Sequence, residues 1–183
     1  MATQIIVLNG GSSSGKSGIA RCLQAILPDP WLSLSIDDLI DAMPPSLVGS
    51  GSGVTFGEQG EVEVGEAFRT IESAWMSGIA EMARRGAHII VDDVFLSGAV
   101  SQDRMRVAFD GLEVLWLGVH CDPTIAAARE LARGDRVGGM AASQATIAHE
   151  GVVYDLEVDT GQAEALECAR VIVGRVGIED DGD

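Results

Sequence analysis

The sequence predicts an α/β fold built on a parallel sheet, and three observations carry that prediction. Short apolar runs of strand length recur along the chain, and longer segments with helical periodicity separate them. Several of the runs end on Gly-, Ser- or Asp-bearing turns, where open α/β sheets place their ligands. The chain has 183 residues, 46% of them apolar. That is enough for one well-buried core and too little for two, so a single domain over residues 1–183 is expected.

The first strand is expected at residues 4–9 (QIIVLN). After a Gly- and Ser-rich turn, Ile19, Leu23, Ile26 and Leu27 repeat at helical spacing until Pro28, giving a helix with one buried stripe. Residues 32–36 read as a second strand ending on Asp37 and Asp38. Then the chain changes character: PPSLVGSGSG is loop-like, and VTFGEQGEVEVG alternates around a turn as a small hairpin does. Residues 44–67 therefore form an insertion that the sheet does not need. Phe68, Ile71, Trp75, Ile79 and Met82 mark a long amphipathic helix closed near Gly86, and this stripe reads as plain core.

Residues 88–91 (HIIV) form a third strand that runs into Asp92 and Asp93, and residues 114–119 (VLWLGV) form a fourth. Asp122 before Pro123 is an N-cap followed by proline at the first helical position. That helix carries Arg129 and Arg133 and breaks at Gly134. A Gly-bearing stretch and another helical segment lead to a fifth strand at residues 156–158, which ends at Asp159 and Thr160. A final helix uses Leu166, Ala169, Val173 and Val176, and the acidic tail EDDGD is expected to fray.

Charge narrows the choice of partners. Against 28 Asp and Glu stand 12 Lys and Arg, a net charge of −16. Such a surface repels phosphate backbones and anionic lipid, which excludes nucleic acid and membrane as main partners. Cys22, Cys121 and Cys168 form no C-x-x-C pair, and His88, His120 and His149 have no ligand-like spacing, so neither a disulfide framework nor a zinc site is expected. No signal peptide or membrane span is legible, and a cytoplasmic protein is expected. A homo-oligomer stays open.

The strongest motif is Gly10-Gly11-Ser12-Ser13-Ser14-Gly15-Lys16-Ser17, a complete G-x-x-x-x-G-K-[ST] between a predicted strand and a predicted helix. Glycines let the backbone curl so that successive N–H groups face phosphate oxygens, and the following helix adds its positive end. Lys16 then reaches the β- and γ-phosphates of ATP, and the Ser17 hydroxyl joins a Mg²⁺ shell. Asp92 and Asp93, on the same sheet edge, are the candidate Mg²⁺ carboxylates; an acidic cap or turn is the alternative, and alternation does not decide between the two residues.

A kinase acting on an alcohol needs a carboxylate to orient the hydroxyl and take its proton. Asp37 is the first candidate, with Asp38 as base, or both as a helix cap, the alternatives. Arg133 and Arg136, beside glycines at a helix end, suit a short lid over residues 133–144 that neutralises the transferring phosphoryl, although such arginines also complement a helix dipole. The acceptor is expected against the insertion and Trp31, where Met43, Val54 and Phe56 suit a partly aromatic molecule. No N-K-x-D motif follows the fourth strand, which removes support for a GTPase-like switch.

The segments NGGSSSGKSGIARCLQ, PDPWLSLSIDDLIDAMP, IIVDDVFL, VLWLGVHCD, RELARGDRVGGMA and HEGVVYDLEVDT resemble, in order, the chloramphenicol phosphotransferases, which protect antibiotic producers. The resemblance covers nearly the whole chain. It implies a three-layer α/β/α P-loop kinase fold similar to the nucleoside monophosphate kinases, with a five-stranded parallel sheet in order 2-3-1-4-5. It also implies ATP-dependent phosphorylation of the 3-hydroxyl of chloramphenicol, with Asp37 as general base, Lys16 as P-loop lysine and Arg133 with Arg136 as lid arginines. In its short lid the family is similar to shikimate and gluconate kinases. The insertion SLVGSGSGVTFGEQGEVEVG departs from the family pattern in most positions, which keeps a P-loop kinase for another hydroxylated metabolite or a nucleoside as the alternative.

Overall fold

The computed structural model describes residues 2–57, 60–133, with Arg133 by its backbone alone, and 139–177. Its first strand, β1 (Ile5–Asn9), has five successive buried residues. A strand buried on both faces is a continuous apolar run, and β1 lies at the centre of the sheet. The chain continues through α1 (Lys16–Ile26), β2 (Trp31–Ser35), α2 (Ile36–Ala42), β3 (Val54–Phe56), β4 (Val62–Val64) and α3 (Glu66–Arg84). It closes with β5 (His88–Asp93), α4 (Ala99–Ala108), β6 (Val114–His120), α5 (Pro123–Arg133), α6 (Met140–Ile147), β7 (Leu156–Asp159) and α7 (Ala165–Val173).

The main sheet runs β2-β5-β1-β6-β7 with every pair parallel. Counting only these five strands gives the expected order 2-3-1-4-5; the labels differ because the hairpin supplies β3 and β4. Alternation sends Ile6 and Leu8 to one face, against Ile19 and Leu23 of α1 and Cys168 and Ile172 of α7. Ile5 and Val7 face the opposite layer, where Met76 and Ile79 of α3 meet Phe95, Met105 and Phe109. The antiparallel hairpin pairs Val54 with Val64 and Phe56 with Val62. Beneath it, Val54 joins Leu39, Met43 and Phe68 in a smaller apolar cluster.

Four details differ from the sequence expectation, and each has a local cause. Strand β5 continues through Asp92 and Asp93 rather than stopping at Val91, because Leu8 and Asn9 of β1 still offer it ladder partners. Strand β2 ends at Ser35, where a capping box starts α2: Ser35 Oγ accepts from the Asp38 N–H, and Asp38 accepts in return from the Ser35 N–H. Helix α4 has no apolar periodicity to read, since its buried face carries Ser101 and Gln102 beside Met105. Gln102 is satisfied there by the N–H and C=O of Val153. Trp31 is buried under α1 with its ring edge-on to His88, so it takes no part in an acceptor pocket. Among the described residues no helix is long and apolar enough to cross a membrane.

Candidate active site

The turn at residues 10–15 leaves β1 and enters α1 at Lys16, so the first amides of α1 face the sheet edge. Gly10 passes so close to β6 that a side chain would collide with the Val119 carbonyl oxygen. Gly15 takes a left-handed conformation with φ 93°, and Ser13 shares that region at φ 58°, a costly position for a residue with a Cβ. Thr160, just past β7, steadies the turn: its Oγ1 donates to the Ser14 carbonyl at 2.6 Å. Arg129 of α5 in turn donates to Thr160 Oγ1 and O at 3.0 and 2.8 Å. No local pattern marks Arg129 for this work, because the contact spans 31 residues.

Three hydroxyls of the loop, those of Ser12, Ser13 and Ser14, are buried without a hydrogen-bond partner among the described residues. Buried orphan donors are rare unless a ligand meets them, and a polyphosphate supplies the oxygens they need. The loop borders a cavity of about 620 Å³ lined also by Arg21, Arg129 and Ala132. Lys16 Nζ donates to the carbonyls of Gly10 and Gly11 at 2.8 and 2.9 Å and lies 3.7 Å from Asp92 Oδ1. The Ser17 hydroxyl donates to Asp92 Oδ2 at 2.7 Å.

Asp92 and Asp93 occupy consecutive strand positions and so face opposite sides of the sheet. The structure brings Asp92 to Lys16 and Ser17 and does not bring Asp93 there. Among the described residues no three His, Cys, Asp or Glu side chains gather as a metal cluster; Mg²⁺ commonly keeps most of its waters and takes only one or two protein oxygens, which the Ser17 and Asp92 pair fits.

Asp93 accepts from the Val94 N–H at 2.6 Å and lines a small adjoining cavity of about 30 Å³ with Glu72, Arg69 and Arg104. Burial pushes its carboxyl up to about 7, opposed by the Val94 N–H, with Glu72 and Asp92 adding to the rise. The folded state thus holds a proton between about pH 4 and 7 that the unfolded chain releases, and folding stability falls as pH rises through that window. Asp93→Asn lacks this slope. Urea unfolding at pH 5 and pH 8 is expected to show the variant gaining on the parent by on the order of 2 kcal/mol at the higher pH; equal slopes would refute the burial argument.

Asp37 lies in the first turn of α2, one residue further into the helix than a strand-end position. It lines both the nucleotide-sized cavity and a neighbouring cleft of about 500 Å³. Asp38 is spent on the capping box with Ser35. The cleft is walled by the hairpin residues Val54, Phe56, Val62 and Val64, with Phe68 and Met140 among the others. Met43 belongs instead to the cluster beneath the hairpin. Arg136 lies outside the described residues, as does the side chain of Arg133, whose backbone ends α5.

Two features were not legible. Gln144 of α6 accepts the Ser12 N–H through Oε1 at 2.8 Å, across 132 residues, and no motif marks such a contact. A polar chain also pins the end of α6 to the sheet: Asn9 donates to Tyr154 Oη at 2.6 Å and to the Ala148 carbonyl, and Tyr154 Oη lies 2.7 Å from His149 Nδ1. His149 stacks on His120 with ring centroids 4.0 Å apart. Burial, then the neighbouring His120, brings His149 down to about 4, which leaves it neutral at physiological pH.

A family model described as chloramphenicol phosphotransferase-like protein matches residues 3–177. A Mycobacterium tuberculosis protein named "Putative O-phosphotransferase" is 32% identical over 180 residues, covering 91% of this chain and 79% of the relative. Among solved structures, a sugar kinase from Janibacter superposes with a TM-score of 0.67 at 17% identity, covering 94% of this chain and 95% of that one. The tunicamycin resistance protein of Deinococcus radiodurans gives a TM-score of 0.67 at 17% identity with 96% of each chain covered. A shikimate kinase from Acinetobacter baumannii gives 0.60 at 13% identity, covering 94% and 92%. These three likenesses speak for the fold. The family match over residues 3–177 and the 32% identical relative put the chain in the chloramphenicol phosphotransferase-like family, as a kinase-type enzyme with a P-loop kinase fold.

Proposed function

We propose that this enzyme moves the γ-phosphate of ATP, with Mg²⁺, onto the 3-hydroxyl of chloramphenicol. The observation that carries the reading is the place of Asp37 on a wall shared by a cavity lined by the P-loop and an apolar cleft. In this reading residues 44–67 are the acceptor-binding insertion and residues 133–144 the lid of a single domain. Among the described residues that line the cleft, the charged ones are Asp37 and Asp41, and none is Lys, Arg or His. An acceptor bearing a carboxylate or phosphate meets repulsion there, while a neutral and partly aromatic alcohol fits the Val and Phe walls.

The roles follow from position. Asp37 accepts the proton of the acceptor hydroxyl as its oxygen bonds to the γ-phosphorus and the bond to the ADP oxygen breaks. Lys16 exchanges the Gly10 and Gly11 carbonyls for phosphate oxygens. Residues 10–17 form the cradle with the hydroxyls of Ser12, Ser13 and Ser14 and with the loop amides other than those of Ser12 and Ser14, which bond to Gln144 and Gly11. Ser17 and Asp92 hold Mg²⁺, whose charge offsets that of the phosphates. Arg133 and Arg136 are assigned to the lid, where guanidinium groups neutralise the transferring phosphoryl.

Incubation with ATP, Mg²⁺ and chloramphenicol, followed by mass detection of the drug, is expected to show one added phosphoryl group. An unmodified drug under conditions where ATP binds removes the assignment. A second reading is another neutral hydroxylated molecule as acceptor, because the Val and Phe walls of the cleft suit an uncharged apolar surface rather than one compound.

A further inference from the structure

Gln144 stands where α6 meets the P-loop. It is 4% exposed, and α6 is seated so closely that a Cβ on Gly11 would lie 3.2 Å from the Gln144 carbonyl carbon. Because the Ser12 N–H bonds to Oε1 at 2.8 Å, the amide orientation is set by chemistry: an N–H needs the oxygen end, and Nε2 with its two donors is left over. No hydrogen bond from Nε2 is seen among the described residues, and Nε2 is not one of the buried unpartnered atoms, so it keeps access to the cleft's solvent. Gln144 borders the apolar cleft and is absent from the lining of the nucleotide-sized cavity.

The rest of the cleft's described lining is apolar apart from Asp37 and Asp41, so Gln144 is its one uncharged polar side chain and its one side-chain donor. A donor aimed at the attacking oxygen would withdraw the electron pair that the reaction needs. A donor aimed at a neighbouring oxygen holds the acceptor without that penalty, while Asp37 takes the hydroxyl proton. An acceptor that shuts water out of the cleft leaves this amide unmet unless one of its own oxygens meets it, and the right acceptor supplies that oxygen.

We propose that Gln144 is a specificity-determining residue: held through its carbonyl by the P-loop, it presents its amide N–H pair to a second oxygen of the acceptor, adjacent to the reacting hydroxyl. The proposal rests on the reading of the apolar cleft as the acceptor site. It selects neutral alcohols that carry a second hydroxyl or carbonyl near the first over simple mono-alcohols.

Two variants separate this from mere support of the loop. Gln144→Glu keeps an oxygen for the Ser12 N–H and removes both donors, whereas Gln144→Met removes donor and acceptor alike. Each is assayed with MgATP against chloramphenicol, other neutral alcohols bearing a second oxygen, and mono-alcohols of similar size. The acceptor KM of the doubly oxygenated compounds is expected to rise about 10-fold or more in both variants. In Gln144→Glu the added charge beside the P-loop weakens MgATP for every acceptor alike, so the readout is the ratio of acceptor KM values between doubly oxygenated alcohols and mono-alcohols at saturating MgATP, and that ratio is expected to collapse. A ratio of acceptor KM values that stays at the parent's in Gln144→Glu overturns the proposal. Should Gln144→Met not fold, Gln144→Glu decides. If the parent ignores chloramphenicol but phosphorylates another alcohol of the set, the drug assignment falls and Gln144 is judged on that alcohol; transfer to none of them overturns both.

Discussion

Asp37→Asn is expected to lower kcat on the acceptor by about 10²- to 10⁴-fold, the span of general base catalysis, with the affinity for MgATP within a factor of about three of the parent. Asparagine keeps the size of the side chain and its place in the first turn of α2. What it loses is the ability to take a proton. Asp38 provides the internal control, because its carboxylate is committed to Ser35. Removing it weakens the capping box and lowers stability slightly, with kcat little altered. Steady-state kinetics on both variants decides the matter, and an Asp37→Asn enzyme at parental kcat moves the base elsewhere.

Lys16→Ala has the second large effect and a different signature. The ammonium group is buried and has Gly10 O, Gly11 O and Asp92 within reach, so it is already poised among the loop atoms that a phosphate chain would contact. Charge-assisted hydrogen bonds of this kind are worth about 1.5–3 kcal/mol each. Losing them is expected to raise the KM for ATP and lower kcat together, for a fall of about 10²-fold or more in kcat/KM. Titration with a fluorescent ATP analogue, beside turnover measurements, separates the two components. Parental values of both would contradict the cradle.

How far the sequence reached depends on whether a property is local. The P-loop is eight adjacent residues, so strand, turn and helix follow from one another, and the order of the main sheet came with the family resemblance. Asp92 and Asp93 show the next level of difficulty. Both were legible as strand-edge carboxylates, yet their separation onto two faces depends on β5 running two residues further, which pairing with Leu8 and Asn9 decides. Trp31 fails for a similar reason: a large aromatic beside the first helix reads equally well as a pocket wall or as core, and packing against α1 settles it as core. Gln144 and the Thr160 to Arg129 contact were beyond reach, since each joins segments far apart in the chain.

The wall that the two cavities share, Ile36, Asp37 and Val94, has a use in inhibitor chemistry. A single molecule carrying nucleotide phosphates at one end and an apolar alcohol at the other has only the width of that wall to cross. Once one end is seated, the other meets its cavity at an effective concentration in the millimolar range for a short flexible link. Such a bisubstrate ligand gains most with a tether of a few atoms, because longer ones lose effective concentration with every added bond. On the proposed reading of the cleft as the acceptor site, the optimum length of the tether reports the separation of the two bound ends across that wall.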